Sequence, residues 1–151
     1  MAALTEDMKR VIAEQKLGFV ATVGRDGTPN LSPKGTTTVW DDDHLVFADL
    51  RSPNTVANLR HNPMVEINVV DPILRKGYRF KGPAQVLTEG DLYEQILAFY
   101  QQRGTQRQRI RAVVLVTVER ARPLTSPIYD LGAGEDEVRR HWASYYASPE
   151  G

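Results

Sequence analysis

Residues 27–72 read GTPNLSPKGTTTVWDDDHLVFADLRSPNTVANLRHNPMVEINVVDP, and the order of segments within them decides the fold. Residues 31–40 form a threonine-rich, β-prone run that Asp41-Asp42-Asp43 closes in a turn. Residues 45–48 make the next strand. Ser52 stands as an N-cap with Pro53 at the first helical position, so a short helix opens there and runs to about Arg60. Asn62-Pro63 ends it, because the residue before a proline is pushed out of the α region. Residues 64–70 then alternate apolar and polar, the pattern of a strand with one wet face.

Outward from this stretch the same grammar continues. Thr5, followed by Glu6 and Asp7, suits a helix start, and Met8, Val11 and Ile12 recur at helical spacing. Residues 17–23 are β-prone and nearly all apolar, and Gly24-Arg25-Asp26-Gly27 turns the chain. On the other side, residues 71–77 form a basic loop and residues 78–87 a strand, with Gly82-Pro83 as a bulge or edge. Residues 88–103 are predicted helical, capped by Thr88 and striped by Leu92, Ile96, Leu97 and Tyr100. Residues 112–118 are the most hydrophobic strand. A proline-containing tail over 123–134 leads to a last short helix with Val138, Trp142 and Tyr145 on one side. Six strands with short links and marginal helices predict a mainly β protein, a six-stranded antiparallel barrel rather than a βαβ fold. At 151 residues the expectation is one domain, 1–151, with its core over about 17–118 and a C-terminal tail and helix over 119–151.

Composition narrows the function. Nineteen basic residues balance nineteen acidic ones, so the surplus of positive charge that supplies most nucleic-acid affinity is missing. The arginines at 103, 107, 109 and 111 have no interleaved aromatics for base stacking and read as a solvated link. The chain has no cysteine, which removes disulfides, thiolate metal sites and a cysteinyl flavin bond, and fits a cytoplasmic protein. No segment reaches the length of apolar sequence needed to cross a bilayer. His44, His61 and His141 lack the spacing of a helical metal pair, so no metal site is expected.

The segments that could carry chemistry converge on an anion. A helix starting Ser52-Pro53-Asn54-Thr55 after a strand offers free N–H groups and the positive end of a dipole. Taken alone, that segment reads first as a well-capped helix that binds nothing. Lys34 shifts the balance, because a meander would lay its strand beside the one that feeds this helix. Gly35, Thr36 and Thr37 are small enough for a planar ring to lie against their backbone, with hydroxyls to offer. Arg79 and Lys81, two apart on a later strand, share one face, which taken alone reads first as a solvated one.

Together with residues 76–86 (KGYRFKGPAQV), the quoted stretch resembles the pyridoxamine 5′-phosphate oxidase-like family of FMN-binding split barrels, in its short single-domain members. The resemblance runs from about Leu17 to Val118. It implies a Greek-key split barrel that acts as a homodimer and holds FMN non-covalently at the subunit interface. It assigns Ser52, Asn54 and Thr55, with Lys34, to the phosphate; Gly35, Thr36 and Thr37 to the ring or ribityl chain; and Arg79 and Lys81 to the same cofactor according to register. The true oxidases carry an Arg-Lys pair where this chain has Pro53-Asn54. Their C-terminal arginine motif has no counterpart in residues 126–130. The implied activity is a flavin-dependent oxidoreductase acting on a small molecule or a nicotinamide donor. A non-catalytic flavin carrier, or a binder of F420 or haem on the same barrel, is the alternative. No side chain stands out as an acid or base toward a substrate. Tyr129 and Trp142 read first as packing or dimer contacts, and second as a cover over the flavin.

Overall fold

The computed structural model describes residues 2–149. Its strands are β1 (Gly18–Val23), β2 (Pro29–Lys34), β3 (Thr38–Val39), β4 (His44–Asp49), β5 (Met64–Asp71), β6 (Lys76–Leu87), β7 (Ala112–Thr117) and β8 (Arg120–Thr125). The helices are α1 (Glu6–Gln15), α2 (Pro53–His61), α3 (Asp91–Gln102) and α4 (Glu135–Ala147). Every strand pair is antiparallel, in the order β2-β1-β5-β6-β7-β4-β3, with β8 also on β6. The jumps from β1 to β5 and from β7 to β4 are Greek-key crossings.

The strands at the two ends of that order, β2 and β3, are joined only by residues 35–37. Such a link spans about 14 Å at full extension, so the sheet must curl until its ends nearly meet. The result is a half-barrel closed by the link over Gly35, Thr36 and Thr37. The sheet has eight strands and not the six predicted. One extra strand comes from the break in residues 31–40, where the chain turns at Gly35-Thr36. The other is β8, expected as tail because Pro123 and the arginines hide any alternation. It survives as an edge strand, where proline is tolerated. β7 and β8 line one edge of β6 in succession: residues 84–87 of β6 pair with β7 and residues 76–81 with β8.

Close approach fixes two glycines on β6. A side chain at Gly77 would meet the carbonyl oxygen of Val69, and one at Gly82 that of Thr117.

Two apolar clusters follow from strand alternation. Val20, Phe47, Ile67, Phe80, Val114 and Val116 fill the barrel interior, closed by Met8 and Ile12 of α1. The opposite faces of β4 and β7 carry Val46, Ala48, Val113 and Leu115, which pack under Ile96, Leu97 and Tyr100 of α3. Those two strands are therefore buried on both sides, which is why they read as continuous apolar runs. α1 begins with a reciprocal cap: the Thr5 hydroxyl accepts from the Met8 N–H at 3.2 Å, and the Met8 sulfur accepts from the Thr5 N–H at 3.4 Å. α3 starts at Asp91 with Gly90 at its N-cap, two residues later than the Thr88 cap predicted. Gly90 has φ 101°, and the helix begins beyond this left-handed residue. Among the described residues no helix is long and apolar enough to cross a membrane.

Candidate functional site

Buried polar side chains mark the site. The described residues hold five buried polar or charged groups, and Lys34, Thr37, Asp49 and Thr55 all lie where β2 and β4 end against the start of α2. Lys34 pairs with Gly18 of β1, on the same face as Val20 and the barrel interior, and is 5% exposed. Its ammonium donates to the Ser32 hydroxyl at 2.8 Å and to the Ser52 hydroxyl. Burial pushes its pKa below the ordinary lysine value, while the Asp49 carboxylate pulls it partly back.

This changes the helix start. Ser52 occupies the N-cap position, as predicted, but its side chain makes no cap bond. Its hydroxyl accepts from Lys34 instead, and its backbone N–H donates to Asp49 Oδ1 at 2.7 Å. Pro53 has no N–H, so the amides of Asn54 and Thr55 are left at the mouth of the helix without a side-chain cap. Asn54 is exposed and Thr55 is buried. The structure thus places Lys34 at the start of α2, beside Ser52, with Asn54 and Thr55 in the first turn.

Gly35, Thr36 and Thr37 form the segment between the sheet ends. A side chain added at Gly35 would meet nothing within 4 Å, so its backbone faces open space. The threonine hydroxyls, expected as ligand donors, are engaged within the protein. Thr36 Oγ1 accepts from the Ala48 N–H at 2.9 Å, and Thr37 Oγ1 donates to the Lys34 carbonyl at 2.9 Å. What the segment offers a ligand is backbone and methyl surface. The Tyr100 hydroxyl anchors it from below, donating to the Thr36 carbonyl at 2.8 Å. Burial raises that phenol's pKa well above its ordinary value and keeps it a donor. A cleft of about 740 Å³ runs along residues 35–39 and is rimmed by Lys9, Lys16 and Arg103. Its size lies within the range of small-molecule sites.

Arg79 and Lys81 are elsewhere. Arg79 pairs with Asn68 and Lys81 with Glu66, which puts both on the outer face of the sheet, away from the interior face that carries Lys34. Arg79 forms an ion pair with Glu66 at 3.0 Å. Within one chain the structure does not bring them to the Lys34 cluster.

The tail folds onto its own chain. The Tyr129 hydroxyl donates to the Leu74 carbonyl at 2.5 Å, and the Arg75 guanidinium lies 3.5 Å from the centre of the Trp142 ring. Both aromatics pack on the β5–β6 hairpin. Sequence reasoning did not single out Asp49, which holds the Ser52 N–H, or Tyr100, which holds the Thr36 carbonyl. Asp49 reads as the end of an apolar strand, and Tyr100 as one more member of a helical stripe.

The profile of the pyridoxamine 5′-phosphate oxidase family matches residues 4–125. The chain belongs to that family. The match extends the resemblance through α1 and β8 and leaves α4 outside it. Among solved structures, the family fold is shared with HupZ of Group A Streptococcus at 36% identity and a TM-score of 0.74, over 82% of this chain and 95% of that one. MJ0282 of Methanocaldococcus jannaschii is 30% identical over 90 residues, which span 58% of this chain and 59% of that protein. Likeness in fold alone extends to an FMN-binding protein of Syntrophomonas wolfei (17% identity, TM-score 0.66) and to HutZ, the haem storage protein of Vibrio cholerae (21%, 0.64). An F420 reductase shares it too (21%, 0.62).

Proposed function

We propose that the protein binds FMN with its phosphate at the start of α2 and its ring along residues 35–38, and that it is a flavin-dependent oxidoreductase of small molecules. One observation carries this reading: Lys34 draws the Ser52 hydroxyl away from the helix, which leaves the Asn54 and Thr55 amides open beside a buried ammonium. An ammonium, two amides and the Thr55 hydroxyl form a donor set that suits a phosphate dianion. Bound flavin would supply hydride and electron transfer. The chain's own residues orient it. Lys34 neutralises phosphate charge, Asp49 fixes the Ser52 turn, and Tyr100 holds residue 36 in place at the cleft floor. As in the family resemblance, we place two such sites at the interface of a homodimer.

Lys34→Ala with Thr55→Ala is expected to release FMN at least tenfold more readily while leaving the folded β signature intact. Unchanged flavin retention would count against this placement. Turnover with NADH or NADPH and an artificial acceptor separates enzyme from carrier: reduction no faster than that of free FMN favours the carrier. The second reading, haem or F420 on the same barrel, is favoured by the likeness to HutZ and to the F420 reductase. A Soret band on haem titration that is lost on replacing His44, His61 or His141 would support it.

A further inference from the structure

The face of the sheet opposite the Lys34 seat carries a second cluster, which includes the Arg79 and Lys81 that the family resemblance assigns to the cofactor. Arg79 of β6 stands directly opposite Arg122 of β8, and Lys81 opposite Arg120. All four are exposed and lie on one face, since residues two apart on a strand point the same way. Like charges directly across an antiparallel ladder repel, so each of these pairs weakens the β6–β8 pairing that holds it. A shallow cavity of about 210 Å³ lies over them, lined by Arg79, Lys81, Arg120, Arg122 and Glu66 alone. Glu66 is engaged by Arg79. Four cations against one carboxylate leave three positive charges in excess, in a chain whose net charge is zero.

We propose that this strip is a binding site for a small polyanion carrying two or more phosphate or carboxylate groups. Size selects the ligand class. Two residues along a strand and one strand spacing across it make a patch of about 7 by 5 Å, the span of a single diphosphate. It is too short to track a nucleic-acid backbone. Guanidinium groups hold such oxygens in paired hydrogen bonds, and an anion seated between the strands turns two repulsive pairs into bridged ones. Within one chain the strip lies on the face opposite the Lys34 seat.

The test uses inorganic pyrophosphate with the full chain and its Arg120→Gln/Arg122→Gln variant. Without ligand the variant is expected to melt above the wild type, because the repulsion is relieved. Pyrophosphate should raise the wild-type Tm by about 3 °C or more beyond sodium chloride of equal ionic strength, and the variant's by less than 1 °C. FMN affinity and solution size should be the same in both. A pyrophosphate shift matched by salt, or equal in the two proteins, overturns the proposal. So does a variant that loses FMN, which would assign the strip to the flavin seat, or one that changes oligomeric state, which would make it a subunit contact.

Discussion

Asp49 opposes Lys34 in the proposed anion seat. Its carboxylate accepts from the Ser52 N–H and faces the buried ammonium, so any phosphate at the start of α2 meets a neighbouring negative charge. Asp49→Asn keeps an oxygen for Ser52 and removes that charge. FMN affinity is expected to rise by about tenfold, corresponding to about 1.4 kcal/mol. Equal or weaker binding in an equilibrium titration would put the phosphate elsewhere. The same pair sets a pH dependence. Burial is the larger influence on Lys34 and lowers its pKa below 10.5 in the folded chain. Between that lowered value and 10.5 the unfolded chain binds more protons, so the apoprotein gains stability as pH rises through the window. FMN retention should weaken over the same window, because the phosphate partner is the charged ammonium. Urea unfolding of apoprotein and FMN titration at matched pH values should therefore give opposite slopes; parallel slopes would remove Lys34 from the seat.

At the scale of elements, close approach of backbones is decisive. Gly82 sits where β6 passes from its β5 and β8 partners to β7, and any side chain there collides with the Thr117 carbonyl. Gly82→Ala is expected to cost about 2–3 kcal/mol in urea denaturation, with Gly27→Ala at the exposed β1–β2 turn costing about 1 kcal/mol. Comparable losses at the two positions would refute the crossing as described. Most elements were legible because their signals are local: the Thr5 cap, the Asn62-Pro63 stop and the alternation over residues 64–70. The break at Gly35-Thr36 was not, since it arises only when the curled sheet brings its ends together. β8 was hidden for a related reason: an edge strand owes its structure to β6 and not to its own residues. In the candidate site, the start of α2 is a sequence-local signal, and Lys34 could be placed beside it only through the meander that the turns imply. Asp49 and Tyr100 depended on tertiary contacts, and the outward placement of Arg79 and Lys81 depended on register.

For the molecule as a whole, the link over residues 35–37 closes the half-barrel, lines a cleft of about 740 Å³ and abuts the proposed anion seat. Fold and site therefore share one segment. A subunit-interface site requires two chains of 17.0 kDa, so light scattering should return a mass near twice that value, and a clean monomer would remove the shared site. The most direct test of the central claim is an equilibrium titration of apoprotein with FMN, followed by flavin fluorescence and absorbance. Saturable binding of one FMN per chain, weakened at least tenfold by Lys34→Ala/Thr55→Ala, is the expected result. No uptake by the wild type, or equal uptake by the double variant, would contradict it.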